Sequence, residues 1–186
     1  MATPFPSKEI ETLVSQIADI LLARNQTLSV SEGACGGLLS AYLISIPGAS
    51  QFFDGGRLIY SLKSRLRLSG WDNETIKSYT GPSEAVVLRM ARNLRIEFGS
   101  TYVLSESGFA GPGASITPGN GAGSLNGEVG EVGTVYLGVS GGTGGDRSCV
   151  VNTGCDDRAE NMQLFAKVGL EFLLKVLKED ENETRK

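Results

Sequence analysis

Apolar residues recur at helical spacing from residue 7 to residue 24, where Ile10, Leu13, Val14, Ile17 and Leu21 line one face. The chain therefore opens with an amphipathic helix, closed by Asn25. Shorter patterns follow. Residues 27–31 read as a strand, 38–46 as an apolar helix stopped by Pro47-Gly48, 57–60 as a brief strand and 62–68 as a short helix. Ser83 is placed to cap a helix running to Phe98 with Val87, Met90, Ala91 and Leu94 inward. Residues 101–106, 132–139 and 148–153 read as further strands, the last two joined by a glycine-rich β-hairpin loop over 140–146. A helix from Asp157 to about Leu177 ends the pattern, and the charged tail 178–186 is expected to fray, as is the N-terminal segment.

Strand and helix alternate through the first two-thirds before the hairpin, which argues for one α/β layered domain with a mixed sheet. A chain of 186 residues suits a single domain, with a core expected over about 8–177. The connection 107–131 is a long run of Gly, Ser, Asn and Pro; such loops are uncommon in compact domains and usually functional or disordered. There is no internal repeat.

Composition narrows the chemistry. A net charge of −4 without a basic stripe supplies no electrostatic reason to expect nucleic acid. No apolar run approaches the roughly 18 residues of a membrane span, and residues 1–6 lack the parts of a signal peptide. Cys35, Cys149 and Cys155 are an odd set at spacings that suggest neither a disulfide framework nor a zinc site. A reducing cytoplasm is the expected setting, with no metal and no cofactor. The chain has no histidine, which removes Ser-His-Asp, Cys-His and imidazole mechanisms together. Any catalysis must run on Lys, Tyr, carboxylates, hydroxyls or backbone groups.

Three glycine-bearing loops follow strands. In Ser31-Glu32-Gly33-Ala34-Cys35-Gly36-Gly37, a strand-to-helix junction, glycines let backbone approach a ligand and free N–H groups would attract an anion. A purely steric tight turn explains the same residues, and the loop matches neither a P-loop nor G-x-G-x-x-G. Gly55-Gly56-Arg57 leads to Tyr60 and Ser61; taken alone, the glycines suit a bulge, Tyr60 a core position, and Lys63, Arg65 and Arg67 a solvated face. Ser107, Gly108 and Gly111 suit either a pocket wall with a nest of N–H groups or a flexible linker. Loops at the carboxyl ends of neighbouring strands converge on one crevice, so the three carry more weight together than singly. Asp156-Asp157-Arg158 could cap the last helix and offer a guanidinium to phosphate or carboxylate. Cys35 reads as a buried small apolar residue or, at a helix start, as a reactive thiol.

In order, these segments resemble the C-terminal domain of the CinA family. Residues 31–37 are similar to its Ala-Glu-Ser-Cys-Thr-Gly-Gly, and 46–50 to Val-Pro-Gly-Ser-Ser. Residues 55–65 resemble Gly-Gly-Val-Val-Thr-Tyr-Ser-Asn-Glu-Ala-Lys, and 79–84 its Gly-Pro-Val-Ser-Glu stretch. Residues 107–112 are similar to Thr-Gly-Ile-Ala-Gly-Pro, 132–136 are identical to Val-Gly-Thr-Val-Tyr, and 156–158 resemble a late Gly-Asp-Arg. The resemblance implies a three-layer α/β/α sandwich with about five strands, a homo-oligomer, and no separate larger N-terminal domain. It also implies hydrolysis of the carboxamide of nicotinamide mononucleotide to nicotinic acid mononucleotide and ammonia, by a Ser nucleophile and a Lys base.

Both reactive positions depart from that pattern. The nucleophilic Ser falls on Gly33 and the Lys on Arg65, whose guanidinium cannot act as a base in protein. Lys63 is two residues away and turned to another helix face. The ligand-facing set Glu32, Gly36, Gly37, Tyr60, Ser61, Gly108, Gly111 and Arg158 matches or stays close. The expected protein is a catalytically degenerate member that binds a nicotinamide-type or other small phosphorylated nucleotide at residues 32–37, 60, 61, 65, 107, 108, 111 and 158. Two alternatives stand beside it: an amidohydrolase with a relocated nucleophile, Cys35 or Ser107, and a structural or interaction protein with a vestigial pocket.

Overall fold

Local signals start the first helix where the pattern places it. Ser7 Oγ accepts the N–H of Ile10 and caps α1 (Lys8–Ala23), whose Ile10, Val14, Ile17, Ala18 and Leu21 are buried. The computed structural model describes residues 4–72, 74, 79–112 and 130–184. Along them follow β1 (Leu28–Glu32), α2 (Leu38–Ile44), a 3₁₀ turn (Ala49–Gln51), β2 (Phe53–Leu58), α3 (Leu62–Leu68) and α4 (Glu84–Phe98). Then come β3 (Tyr102–Gly108), β4 (Thr134–Gly141), β5 (Arg147–Asn152) and α5 (Arg158–Thr184).

The sheet order is β2-β1-β3-β4-β5. β1 runs parallel to β2 and β3, while β3–β4 and β4–β5 are antiparallel, so the sheet is mixed. Strand alternation divides the faces. Leu28, Val30, Tyr102, Leu104, Val135, Leu137 and Val139 join α1, α2 and α5 in the main core. Val103 packs with Ala91 and Leu94 of α4 on the other face. There α4 lies close enough that a Cβ on Gly138 would stand 3.1 Å from the backbone of Val87 and Leu88. Ser105 Oγ donates to the Val87 carbonyl at 2.6 Å across the same seam. The result is an α/β/α sandwich.

Two boundaries differ from the sequence reading by more than two residues. β2 begins at Phe53, ahead of the expected 57, because its register to β1 shifts between Leu28 and Ser29 and draws Gly55 and Gly56 into the strand. The glycine at 56 is required by contact, since a Cβ there would lie 2.1 Å from Ser40 Oγ on α2. The last helix continues to Thr184 where the tail was expected to fray. Tertiary bonds hold it: Asp180, only 2% exposed, accepts from Tyr102 Oη at 2.7 Å and from Arg147 Nη2 at 2.6 Å. The conformation of the 107–131 connection lies, for 113–129, outside the described residues.

Candidate ligand site at the carboxyl ends of the parallel strands

β1, β2 and β3 end at one edge of the sheet, and β5, antiparallel to β4, points the same way. The loop after β1, the segment from Tyr60 into α3 and the exit of β3 therefore meet there, as expected of the three glycine-bearing loops, and the start of α5 joins them.

Within residues 31–37 the backbone is already satisfied. Glu32, buried beneath α2, accepts the N–H groups of Gly37 (2.9 Å), Leu39 (3.1 Å) and Ser40 (3.0 Å), and the Ser40 hydroxyl at 2.6 Å. Glu106, with no exposed surface, accepts from Gly33 (2.6 Å), Ala34 (3.2 Å) and Cys35 (2.8 Å). The expectation that this helix start offers free N–H groups to an external anion is thus corrected: two internal carboxylates occupy them. Glu32 is a cap on α2, not a wall of an open pocket. Gly36 and Gly37 adopt left-handed backbone, and a Cβ on Gly36 would stand 2.9 Å from Met162 Cε of α5.

Burial pushes the Glu106 carboxyl up to about 7; the charge of Glu32 adds to the rise and the loop N–H groups oppose it. Cys35 is fully buried beside both acids. Burial first, then the charges of Glu106 and Glu32, raises its thiol well above the ordinary range. It is a neutral thiol packed in the core, which is the bland reading of that residue and a poor nucleophile.

Arg65 is not on a solvated face. Lys63 and Arg67 are exposed, but Arg65 is 6% exposed. Its Nε donates to the Ile59 carbonyl at 3.3 Å, Nη1 to Tyr79 Oη at 2.7 Å and Nη2 to Ser107 Oγ at 2.9 Å. The guanidinium also lies 5.4 Å from the Tyr79 ring centroid and 5.9 Å from that of Trp71. Burial raises the Tyr79 phenol, and the adjacent Arg65 charge and hydrogen bond pull it partly back. At Gly33 a Cβ would stand 3.3 Å from Arg65 Nη2, 3.7 Å from Ser107 Oγ and 3.2 Å from the Glu106 carbonyl oxygen. Residues 33, 65 and 107, far apart in sequence, are thus one contact group.

Farther out, Tyr60 is 62% exposed, so the core reading of that ring is corrected; its hydroxyl accepts from Arg158 Nη2 at 2.7 Å. Arg158 opens α5 behind Asp157, whose Oδ1 accepts the Glu160 N–H at 2.8 Å, so this segment does cap the helix. Gly111 sits against Arg158, where a Cβ would come within 2.7 Å of the arginine Cβ. Two expected ligand residues are placed for structure. Ser61 Oγ accepts the Ser64 N–H and caps α3, and a Cβ on Gly108 would meet the Thr134 carbonyl at 2.5 Å. Ala34 is half-buried in the loop. Glu106, Tyr79 and Trp71 were missed. Glu106 carried a signal: it continues the inward series Tyr102, Leu104 as an acid on a buried strand, and such an acid needs donors. Among the described residues no group of three or more His, Cys, Asp or Glu side chains could hold a metal ion, and no helix is long and apolar enough to cross a membrane.

Comparison with known proteins adds to the geometry. The profile of the CinA C-terminal domain matches residues 10–177. A CinA-like protein of Petrotoga mobilis is 38% identical over 128 residues, which cover 69% of this chain and 29% of that protein. A CinA-like protein of Salinibacter ruber is 31% identical over 160 residues, 86% of this chain and 36% of the relative. The chain thus spans about a third of the length of these relatives. Among solved structures, the competence/damage inducible protein CihA of Agrobacterium tumefaciens superposes with a TM-score of 0.79 at 24% identity, over 95% of this chain and 99% of that one. A competence or damage-inducible protein of Enterobacter asburiae gives 0.77 at 24% identity, over 90% and 98%. At that identity the structural likeness speaks for the fold.

Proposed function

Since this chain belongs to the CinA C-terminal domain family, we propose that it is a binding member of it, holding a small phosphorylated nucleotide of the nicotinamide type without hydrolysing it. One observation carries the reading: the Cβ position of Gly33 lies 3.3 Å from Arg65 Nη2. The family resemblance assigns a nucleophilic Ser and a basic Lys to these two positions. At that separation side chains at 33 and 65 are direct neighbours, as a nucleophile and its base must be. Here one partner has no side chain and the other cannot release its proton. Around this inert pair the edge keeps an exposed aromatic ring, Tyr60, and an exposed cation, Arg158, suited to a base or pyridine ring and a phosphate.

The relocated-nucleophile reading finds little support. Cys35 is buried with a raised thiol pKa, and the Ser107 hydroxyl faces an arginine instead of a base. A homo-oligomer with a small-molecule partner, in the cytoplasm, belongs to the same proposal.

Calorimetry with nicotinamide mononucleotide and nicotinic acid mononucleotide tests the binding; no heat from either at millimolar concentration overturns it. Ammonia release from nicotinamide mononucleotide tests the inertness. It should be absent in the wild type and present in the double variant Gly33→Ser with Arg65→Lys. Turnover by the unaltered chain would sink the degenerate reading.

A further inference from the structure

Arg65 places a permanent charge where the surrounding protein leaves it unneutralised. Its three hydrogen bonds to described residues go to neutral oxygens: the Ile59 carbonyl, the Tyr79 hydroxyl and the Ser107 hydroxyl. Among the described residues no carboxylate pairs with it. The nearby acid Glu106 is committed to the amides of Gly33, Ala34 and Cys35. The ring faces of Trp71 and Tyr79 offset part of the cost, as quadrupoles and not as a counter-charge. A buried lysine in this position could shed its proton; an arginine keeps the charge and asks for an anion. Among the described residues three of its five N–H donors are taken and two are not.

The place for that anion is set by Gly33. A side chain there would begin 3.2 Å from the Glu106 carbonyl oxygen, 3.3 Å from Arg65 Nη2 and 3.7 Å from Ser107 Oγ, so the glycine keeps side-chain atoms of its own out of that approach. Ser107 Oγ accepts from Arg65, which leaves its own proton to donate to an incoming oxygen. A carboxylate presents only acceptors and a full negative charge to this donor set, and its hydrogen bonds there are charge-assisted. A carboxamide can turn its oxygen to Arg65 and its NH₂ to the Glu106 carbonyl, but it brings no charge, so its bond to the guanidinium is the weaker, neutral kind.

We infer that the inner end of the site selects a carboxylate, so that the chain binds the acid form of a pyridine nucleotide in preference to the carboxamide form. This rests on reading the site as a nucleotide pocket. Tyr60 and Arg158, farther out, meet parts that the two ligands share and do not discriminate between them.

The test is paired calorimetry of nicotinic acid mononucleotide and nicotinamide mononucleotide on the intact chain at neutral pH. The acid should bind about tenfold more tightly or better. Arg65→Gln should bring the two affinities together, and Arg158→Ala should weaken both by the same factor. Equal affinities, or an advantage for the amide, overturn the inference while leaving nucleotide binding intact. Binding of neither ligand removes both. Should Arg65→Gln fail to fold, the wild-type ratio decides alone.

Discussion

Glu106 ties three successive amides of the loop after β1 to the third strand, and its proton affinity sets how that tie responds to pH. Burial raises its folded pKa from an ordinary 4.5 to about 7. Between those values the folded chain holds a proton that the unfolded chain has released. This group's contribution to stability is therefore fullest below about pH 4.5 and is lost as pH rises toward 7, with a slope of at most about 1.4 kcal/mol per pH unit. Glu106→Gln removes the titration while keeping an acceptor oxygen. In urea denaturation from pH 5 to 8, the variant should gain on the wild type as pH rises. Parallel stability profiles would show the carboxylate already ionised at pH 5, held so by its three donors. Glu106 was not recognised in advance as a site residue, because its partners lie more than seventy positions away. Arg65 shows the same blindness: spacing put it on α3 with Lys63 and Arg67, and only its tertiary contacts with Ile59, Trp71, Tyr79 and Ser107 distinguish it from them.

The helices were legible from their caps and periodicity, α4 most of all, with Ser83 as cap and Val87, Met90, Ala91 and Leu94 inward. α5 shows where such reading stops. Its last turns carry a charged pattern that looks like fraying, yet Asp180 joins Tyr102, Arg147 and the Gly144 N–H in a buried network. Burial and the Asp180 bond push the Tyr102 phenol up to about 12, while the bonds from Tyr102 and Arg147 outweigh burial and hold the Asp180 carboxyl below its usual range. Asp180→Ala should cost about 3 kcal/mol of unfolding free energy, read from urea denaturation. It should also release protection of amide hydrogens over 178–184 in exchange measurements. A loss under 0.5 kcal/mol, of the size expected for an ordinary surface change, would show that the end of α5 is held by the buried apolar residues before the tail, such as Val176 and Leu177.

At the scale of the fold, the sheet order brings four strand ends to one edge and leaves the candidate site on loops held by a rigid core. A nucleotide bound there adds to stability by linkage. At 100 times its dissociation constant it should contribute about 2.7 kcal/mol, a rise of several degrees in Tm for a chain of this size. Scanning calorimetry with increasing nucleotide checks this, and a Tm independent of concentration speaks against binding at any site.

Periodicity, caps and ordered motifs are local properties, and from them the sequence carried the α/β alternation, the mixed sheet, the family resemblance and the substitution of both reactive positions. What the loop amides bind, whether Arg65 is buried, where the last helix ends and whether Tyr60 is core or surface all depend on groups brought together across the sheet. Burial and charge act through space, so these outcomes belong to the folded arrangement. The Gly33–Arg65–Ser107 contact joins the two kinds of knowledge: the sequence named its members, and the convergence of β1, α3 and β3 made them neighbours.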